Sequence, residues 1–159
     1  LQSDRGGEDV ADYFKKYCKT TGIRQEFTNP YTPQQNGISE RDGRSILNVT
    51  RCLLNESNLP KFLWGEIVAT AVFLINRLPH TSIGGDTPYF FNFLKQPKLS
   101  SLRTIGSRAF VHRERHHSKL EEKAWEGGLV GYDSDRPSYR IYNCYSRKIS
   151  SSRNVIHTA

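Results

Sequence analysis

Apolar residues fall at helical spacing through the first half of the chain and alternate in short runs through the last third. Val10, Tyr13, Phe14, Tyr17 and Cys18 follow the i, i+3, i+4, i+7, i+8 pattern of an amphipathic helix. Glu8 and Asp9 at its start and Lys15, Lys16 and Lys19 towards its end suit the helix dipole, and Gly22 is a natural stop. Ile23, Gln25 and Phe27 then alternate as a short strand does. Residues 28–37 hold Pro30 and Pro33 and are expected to lack regular structure. A second helix is expected from Ile38, burying Ile46, Leu47, Val49, Leu53 and Leu54, with Glu40 and Arg44 spaced for an i, i+4 ion pair. Asn58 and Pro60 mark a fresh start. Lys61 to Arg77 is apolar on several sides, as a core helix is, and Pro79 ends it. "GGDTPYFF" (84–91) reads as a cap and a short helix. Beyond about Ser100 come "SRAFVHR", "GGLVGYD", "SYRIYN", "RKIS" and "NVIH", five β-type runs separated by turns and enough for a small SH3-like barrel.

Composition and charge narrow the function classes. The 159 residues are 36% hydrophobic, the mean hydropathy is −0.64, and no apolar run approaches the ~18 residues of a membrane span. The formal charge of +7 is uneven: residues 1–80 hold 10 basic and 9 acidic residues, residues 81–159 hold 13 and 7. A basic C-terminal half suits a polyanion such as nucleic acid, or simply a well-solvated surface. Cys18, Cys52 and Cys144 are too widely spaced for a zinc ribbon or a disulfide framework, so a reducing compartment, nuclear or cytoplasmic, is expected. The opening Leu1 suggests that the natural N-terminus lies upstream.

Two acids carry the candidate chemistry. Asp4 lies in "LQSDRGGE", where a short strand would end, and Glu40 lies at the start of the second predicted helix, 35 residues separating them. Carboxylates converging from different elements can hold Mg²⁺, which takes hard oxygen ligands. The plain alternative is that Asp4 caps a turn and Glu40 sits where a helix favours an acid. With 16 acids in the chain, spacing does not separate the two readings.

The wording around both acids adds to this. "SDRGGE" followed by "NPYTPQQNGISER" resembles the catalytic core of copia-type retrotransposon integrases, part of the retrovirus-related Pol polyproteins. The resemblance continues through "LPKFLWGEIVATAVFLINRLP", "TPYFFNF", "LRTIGSRAFVH", "SKLEEKAWEGGLVGYDSDRPSYRIYN" and "RKISSSRNVIH", essentially the whole chain. It implies an α/β RNase H-like core over residues 1–98, N-terminally truncated, and a small all-β SH3-like barrel over 99–159. It also implies phosphoryl transfer on DNA ends: trimming by a metal-activated water, then attack of a 3′-hydroxyl on a target phosphodiester. Asp4 and Glu40 would be the second and third acids of an Asp, Asp, Glu triad, catalytic and ligating Mg²⁺ (or Mn²⁺). Gln34, Gln35 and Asn36 would belong to a mobile loop contacting DNA ends, with Arg41 and Arg44 facing phosphates or structural. The partners implied are DNA and further copies of the chain, with no membrane.

The chain departs from the family in two places. The strand carrying the first Asp is absent, which makes catalysis by this chain alone an unfavoured expectation. Asp12 is close by but belongs to the helical pattern. After "ER" the family usually has Lys and Asn, whereas here Asp42 and Gly43 precede Arg44. That acid repels phosphate, the mid-helix Gly costs about 0.5–1 kcal/mol, and the pair reads as drift in a decayed copy. His112, His116 and His117 suggest zinc only weakly, since no Cys pair is near. A basic loop is the better reading, with Arg113, Arg115, Lys119 and Lys123 available to phosphates. Tyr132, Tyr139, Tyr142 and Tyr145 suit base stacking or, more simply, cross-strand packing. Two further function classes stay open: a non-catalytic DNA-binding module and an inert remnant.

Overall fold

The alternation after Ser107 forms strands as expected. A computed structural model describes residues 2–3, 11–27, 33–113, 122–133 and 137–157. Strands β3 (Arg108–His112), β4 (Ala124–Tyr132), β5 (Tyr139–Asn143), β6 (Lys148–Ser152) and β7 (Val155–His157) correspond to the five predicted runs. They make one antiparallel sheet in the order β6-β5-β4-β3-β7. Its two edge strands, β6 and β7, are joined by Arg153 and Asn154 alone. Three Cα steps reach about 11 Å, whereas four strand spacings in a flat sheet span roughly 19 Å. The sheet therefore has to curl on itself, which is what makes it barrel-like.

Ala109 and Val111 of β3 point inward on alternate residues, as a half-buried strand requires. On β4 the alternation breaks: Leu129 and Val130 are both fully buried, because the register with β5 shifts between Leu129 and Gly131. Such a bulge re-aims side chains, here putting Val130 and its carbonyl under a helix. That helix is α3 (Trp64–Ile75), preceded by a 3-10 turn at Lys61–Leu63. Thr70 Oγ donates to the Val130 carbonyl at 2.7 Å, and Gly131 leaves the room, since a Cβ there would run into Thr70 Oγ. Leu63 and Ile67 complete a core with Ile105, Ala109, Val111, Leu129, Val130, Ile141 and Tyr142; Leu53, Leu54 and Leu59 pack against its rim. Gly106 holds a left-handed φ of +84° against the Ser57 backbone, a place only glycine fills without strain.

Four expectations about helices need correction. α3 is buried on one side only: Ile67, Thr70 and Ala71 face the sheet, while Phe62, in the 3-10 turn before it, is exposed and Trp64 is 61% exposed. Apolar composition all round does not by itself provide a second layer to cover the outer face. α1 (Asp12–Thr20) forms, but of its predicted apolar face only Cys18 is buried, and Tyr13 and Tyr17 are exposed; Val10 lies outside the described residues. α2 runs Pro33–Glu56 as one helix, so it begins inside the segment expected to be irregular. Pro33 is the reason: at a first helical position proline loses no hydrogen bond and its φ is already helical. Within α2, Leu47 is exposed although it was expected on the buried side.

Contacts divide the chain into two compact units, residues 1–45 and 46–159. In the first, β1 (Gln2–Ser3) pairs in parallel with β2 (Glu26–Phe27), with α1 between them in sequence, the connection parallel strands need. The second unit holds the sheet, its covering helix α3, the short helix α4 (Pro88–Phe93) and the last turns of α2. Packing thus takes in helices well before residue 99, where the wording of the sequence changes. Among the described residues, no helix is long and apolar enough to cross a membrane.

Candidate functional site

Glu40 sits two turns inside α2, with its side chain exposed. The helix dipole acts within the first turn, so it no longer explains an acid at this position. No ion pair joins Glu40 to Arg44 among those the described residues form. Arg41, Asp42 and Arg44 are exposed beside it on the same helix. Gln34, Gln35 and Asn36 lie in the first turns of α2 rather than in a loop. Asp4, the other acid the sequence singles out, lies outside the described residues.

Arg113 is exposed at the end of β3, where its amide donates to the Lys123 carbonyl at 2.8 Å. Arg115, Lys119, His116 and His117 lie outside the described residues. Among those described, no three His, Cys, Asp or Glu side chains come together as a metal cluster.

A groove of about 660 Å³ runs between α3, α4 and the sheet. α4 is placed there by its cap: Thr87 Oγ accepts from the Phe90 amide at 3.1 Å, and Pro88 follows at the first helical position. In the groove the Arg77 guanidinium lies 3.3 Å over the Phe73 ring and 4.7 Å from the Tyr89 ring centre, and donates to the Phe73 carbonyl at 2.9 Å. Burial lowers the Arg77 pKa, with Tyr89 partly offsetting it. On the far wall Arg140 forms a bidentate pair with Glu66, at 2.7 and 2.8 Å, and that bond raises the Arg140 pKa. Phe73 stacks on Tyr132 at 4.7 Å. Arg77 is thus committed to the rings around it and Glu66 to Arg140, while Asp133 accepts from the Ser138 and Ser151 hydroxyls, and the groove is a joint between α3, α4 and the sheet. Glu66 and Arg140 are 74 residues apart, so no local pattern announces their pairing.

The four tyrosines separate. Tyr142 is in the core. Tyr132 donates to the Arg103 carbonyl at 2.8 Å, and burial raises its pKa. Tyr139 donates to the Ser101 carbonyl at 2.9 Å. Tyr145 is 93% exposed.

Tyr139 also meets His157 edge to face at 4.5 Å. Both imidazole nitrogens of His157 are buried without a hydrogen-bond partner among the described residues. Burial, then Arg103, holds this group below its ordinary 6.5. The unfolded chain takes up a proton that the folded one resists, so its contribution to stability is complete above about pH 6.5 and declines as pH falls through the depressed value. His157→Phe is expected to flatten that acid limb in urea melts taken between about pH 7 and pH 5; an unchanged limb would contradict this assignment.

Residues 107–158 match the family described as the retroviral polymerase SH3-like domain. That segment holds β3 to β7, so the curled sheet is an SH3-like domain. Over 157 residues the chain is 38% identical to the retrovirus-related Pol polyprotein from transposon TNT 1-94 of Nicotiana tabacum, covering 98% of this chain and 12% of that one. Over 115 residues it is 33% identical to the uncharacterized mitochondrial protein AtMg00710 of Arabidopsis thaliana, covering 72% of this chain and 94% of that one. The chain belongs to the retrovirus-related Pol polyproteins of copia-type transposons, and it spans 12% or less of the length of the polyproteins it matches. A solved chain from the simian T-cell lymphotropic virus intasome in complex with PP2A regulatory subunit B56 gamma superposes with a TM-score of 0.46 and 15% identity, over 99% of this chain and 57% of that one.

Proposed function

We propose that this chain is a segment of a retrotransposon integrase, residues 1–98 from an RNase H-like core and residues 99–159 the SH3-like domain. In the intact protein it would process DNA ends and join them to target DNA. The observation that carries this reading is similarity along 98% of the chain to a retrovirus-related Pol polyprotein. The parallel β1–α1–β2 arrangement suits a mixed sheet flanked by helices.

Asp4 and Glu40 would hold Mg²⁺ or Mn²⁺. As carboxylates both are hard oxygen donors, and the exposed Glu40 side chain is open to a ligand. When bound, such an ion supplies Lewis-acid stabilisation of charge developing on a phosphoryl oxygen. Arg41 and Arg44, three residues apart and hence on one helix face, would position phosphates; Asp42 works against them. Gln34, Gln35 and Asn36 offer amide groups to a DNA end, and Arg113, Arg115 and Lys119 add charge from the SH3-like domain. DNA is the partner, together with further copies of the protein. A reducing nuclear or cytoplasmic setting suits the exposed thiols of Cys52 and Cys144.

Binding of DNA without chemistry is the second reading, favoured by the basic excess of residues 81–159. Glu40→Gln in the intact protein separates the two. The integrase reading expects metal-dependent strand transfer to disappear while salt-dependent DNA binding persists. Strand transfer that survives Glu40→Gln unchanged would sink it.

A further inference from the structure

Residues 136–159 contain five basic residues and no acid. Arg140 is committed to Glu66. Arg147 and Lys148 are exposed, and among the described residues neither has a carboxylate partner. Both lie at the tip of the β5–β6 hairpin, where Asn143 pairs across to Lys148. The tip is built rather than slack. Asn143 Oδ1 accepts from the amides of Tyr145 and Ser146 at 2.9 and 3.0 Å, an Asx turn that fixes the backbone under Tyr145. Arg147 closes the turn in the left-handed region, at φ 53°, a conformation glycine or asparagine would enter more readily.

A large aromatic ring is thus held exposed at the tip of a hairpin, with two cations within three residues of it that have no carboxylate partner among the described residues. Packing accounts for the other three tyrosines of this region but not for Tyr145. A ring that is sequence-tolerant in what it stacks on, flanked by charges for a backbone, is the combination that binds unpaired bases.

We propose that the β5–β6 hairpin tip is a contact for single-stranded nucleic acid, with Tyr145 stacking on an unpaired base and Arg147 and Lys148 taking the adjoining phosphates. The inference rests on the DNA reading above and adds to it a site on the SH3-like domain, remote in sequence from Glu40.

The test is fluorescence anisotropy of the full chain with a labelled single-stranded oligonucleotide and with its duplex, between about 50 and 200 mM salt. Tyr145→Ala is expected to weaken single-strand binding roughly 5- to 150-fold, while Tyr145→Phe binds like the parent and the duplex is little affected. Arg147→Ala and Lys148→Ala should each flatten the salt dependence by about 0.7 in log–log slope. Because the ring is solvated, Tyr145→Ala should melt with the parent chain, so that lost binding is not lost folding. Equal single-strand binding by Tyr145→Ala and parent overturns the proposal, as does an equal loss on both substrates, which would remove stacking as the cause. A parent chain that binds no single strand overturns it as well. None of these outcomes bears on Glu40, whose own test is strand transfer.

Discussion

Cut down to residues 99–159, the chain is expected not to fold, whereas residues 46–159 fold cooperatively. Residues 99–159 alone lack two of the nine core residues, Leu63 and Ile67, and the rim residues Leu53, Leu54 and Leu59. Leu63 and Ile67 come from outside that segment and are 4% and 0% exposed, each contributing about 1.5–3 kcal/mol by burial. The bond from Thr70 to the Val130 carbonyl adds roughly 0.5–1.5 kcal/mol. Together these come to about 3.5–7.5 kcal/mol, comparable with the whole stability of a typical domain at the lower end of about 5–15 kcal/mol. A piece of this size is marginal even with an intact core. Circular dichroism melts of both fragments decide the matter. A cooperative melt of the shorter one, near the temperature of the longer, would show that α3 is an accessory to the sheet.

Leu129→Ala is expected to cost about 2–5 kcal/mol in urea melts of the full chain. Its side chain is 0% exposed and lies next to the β4 bulge, where the strand is paired with β5 and bonded through the Val130 carbonyl to α3. With both neighbours fixed, the hole left by the lost methyl groups has little means of collapsing, which places the cost towards the upper end of that range. Leu99→Ala serves as the control: that residue is exposed, and its loss should stay within about 0.5 kcal/mol. Equal effects of the two substitutions would mean that the core is not where β4 puts it.

Much of the SH3-like sheet was legible in the sequence because its signals are local. Alternation marks β3, and Gly- and Ser-rich turns bound the others. Thr87, Pro88 and the aromatics after them announce α4 through capping. What stayed hidden depends on residues far apart or on a competition between rules. Pro33 was read as breaking structure when its position let it begin a helix. Tyr13, Tyr17 and Trp64 fit apolar faces by spacing, yet nothing in the described structure covers them. The pairings of Thr70 with Val130 and Glu66 with Arg140 have no periodicity to betray them. As for the candidate site, the wording around Glu40 carries the functional expectation, its side chain is exposed on α2, and Asp4, the other candidate acid, lies outside the described residues.

The covering of the sheet by α3 also has a schedule. Thr70 is synthesised 60 residues before the Val130 carbonyl it binds. A ribosome adding about 5–20 residues per second takes roughly 3–12 s to cover that distance. Through that interval Leu63 and Ile67 have no sheet to lie against, and an uncovered apolar helix face is what aggregation and chaperones both act upon. The pace of translation across residues 70–130 therefore sets how long each new copy of this domain stays vulnerable.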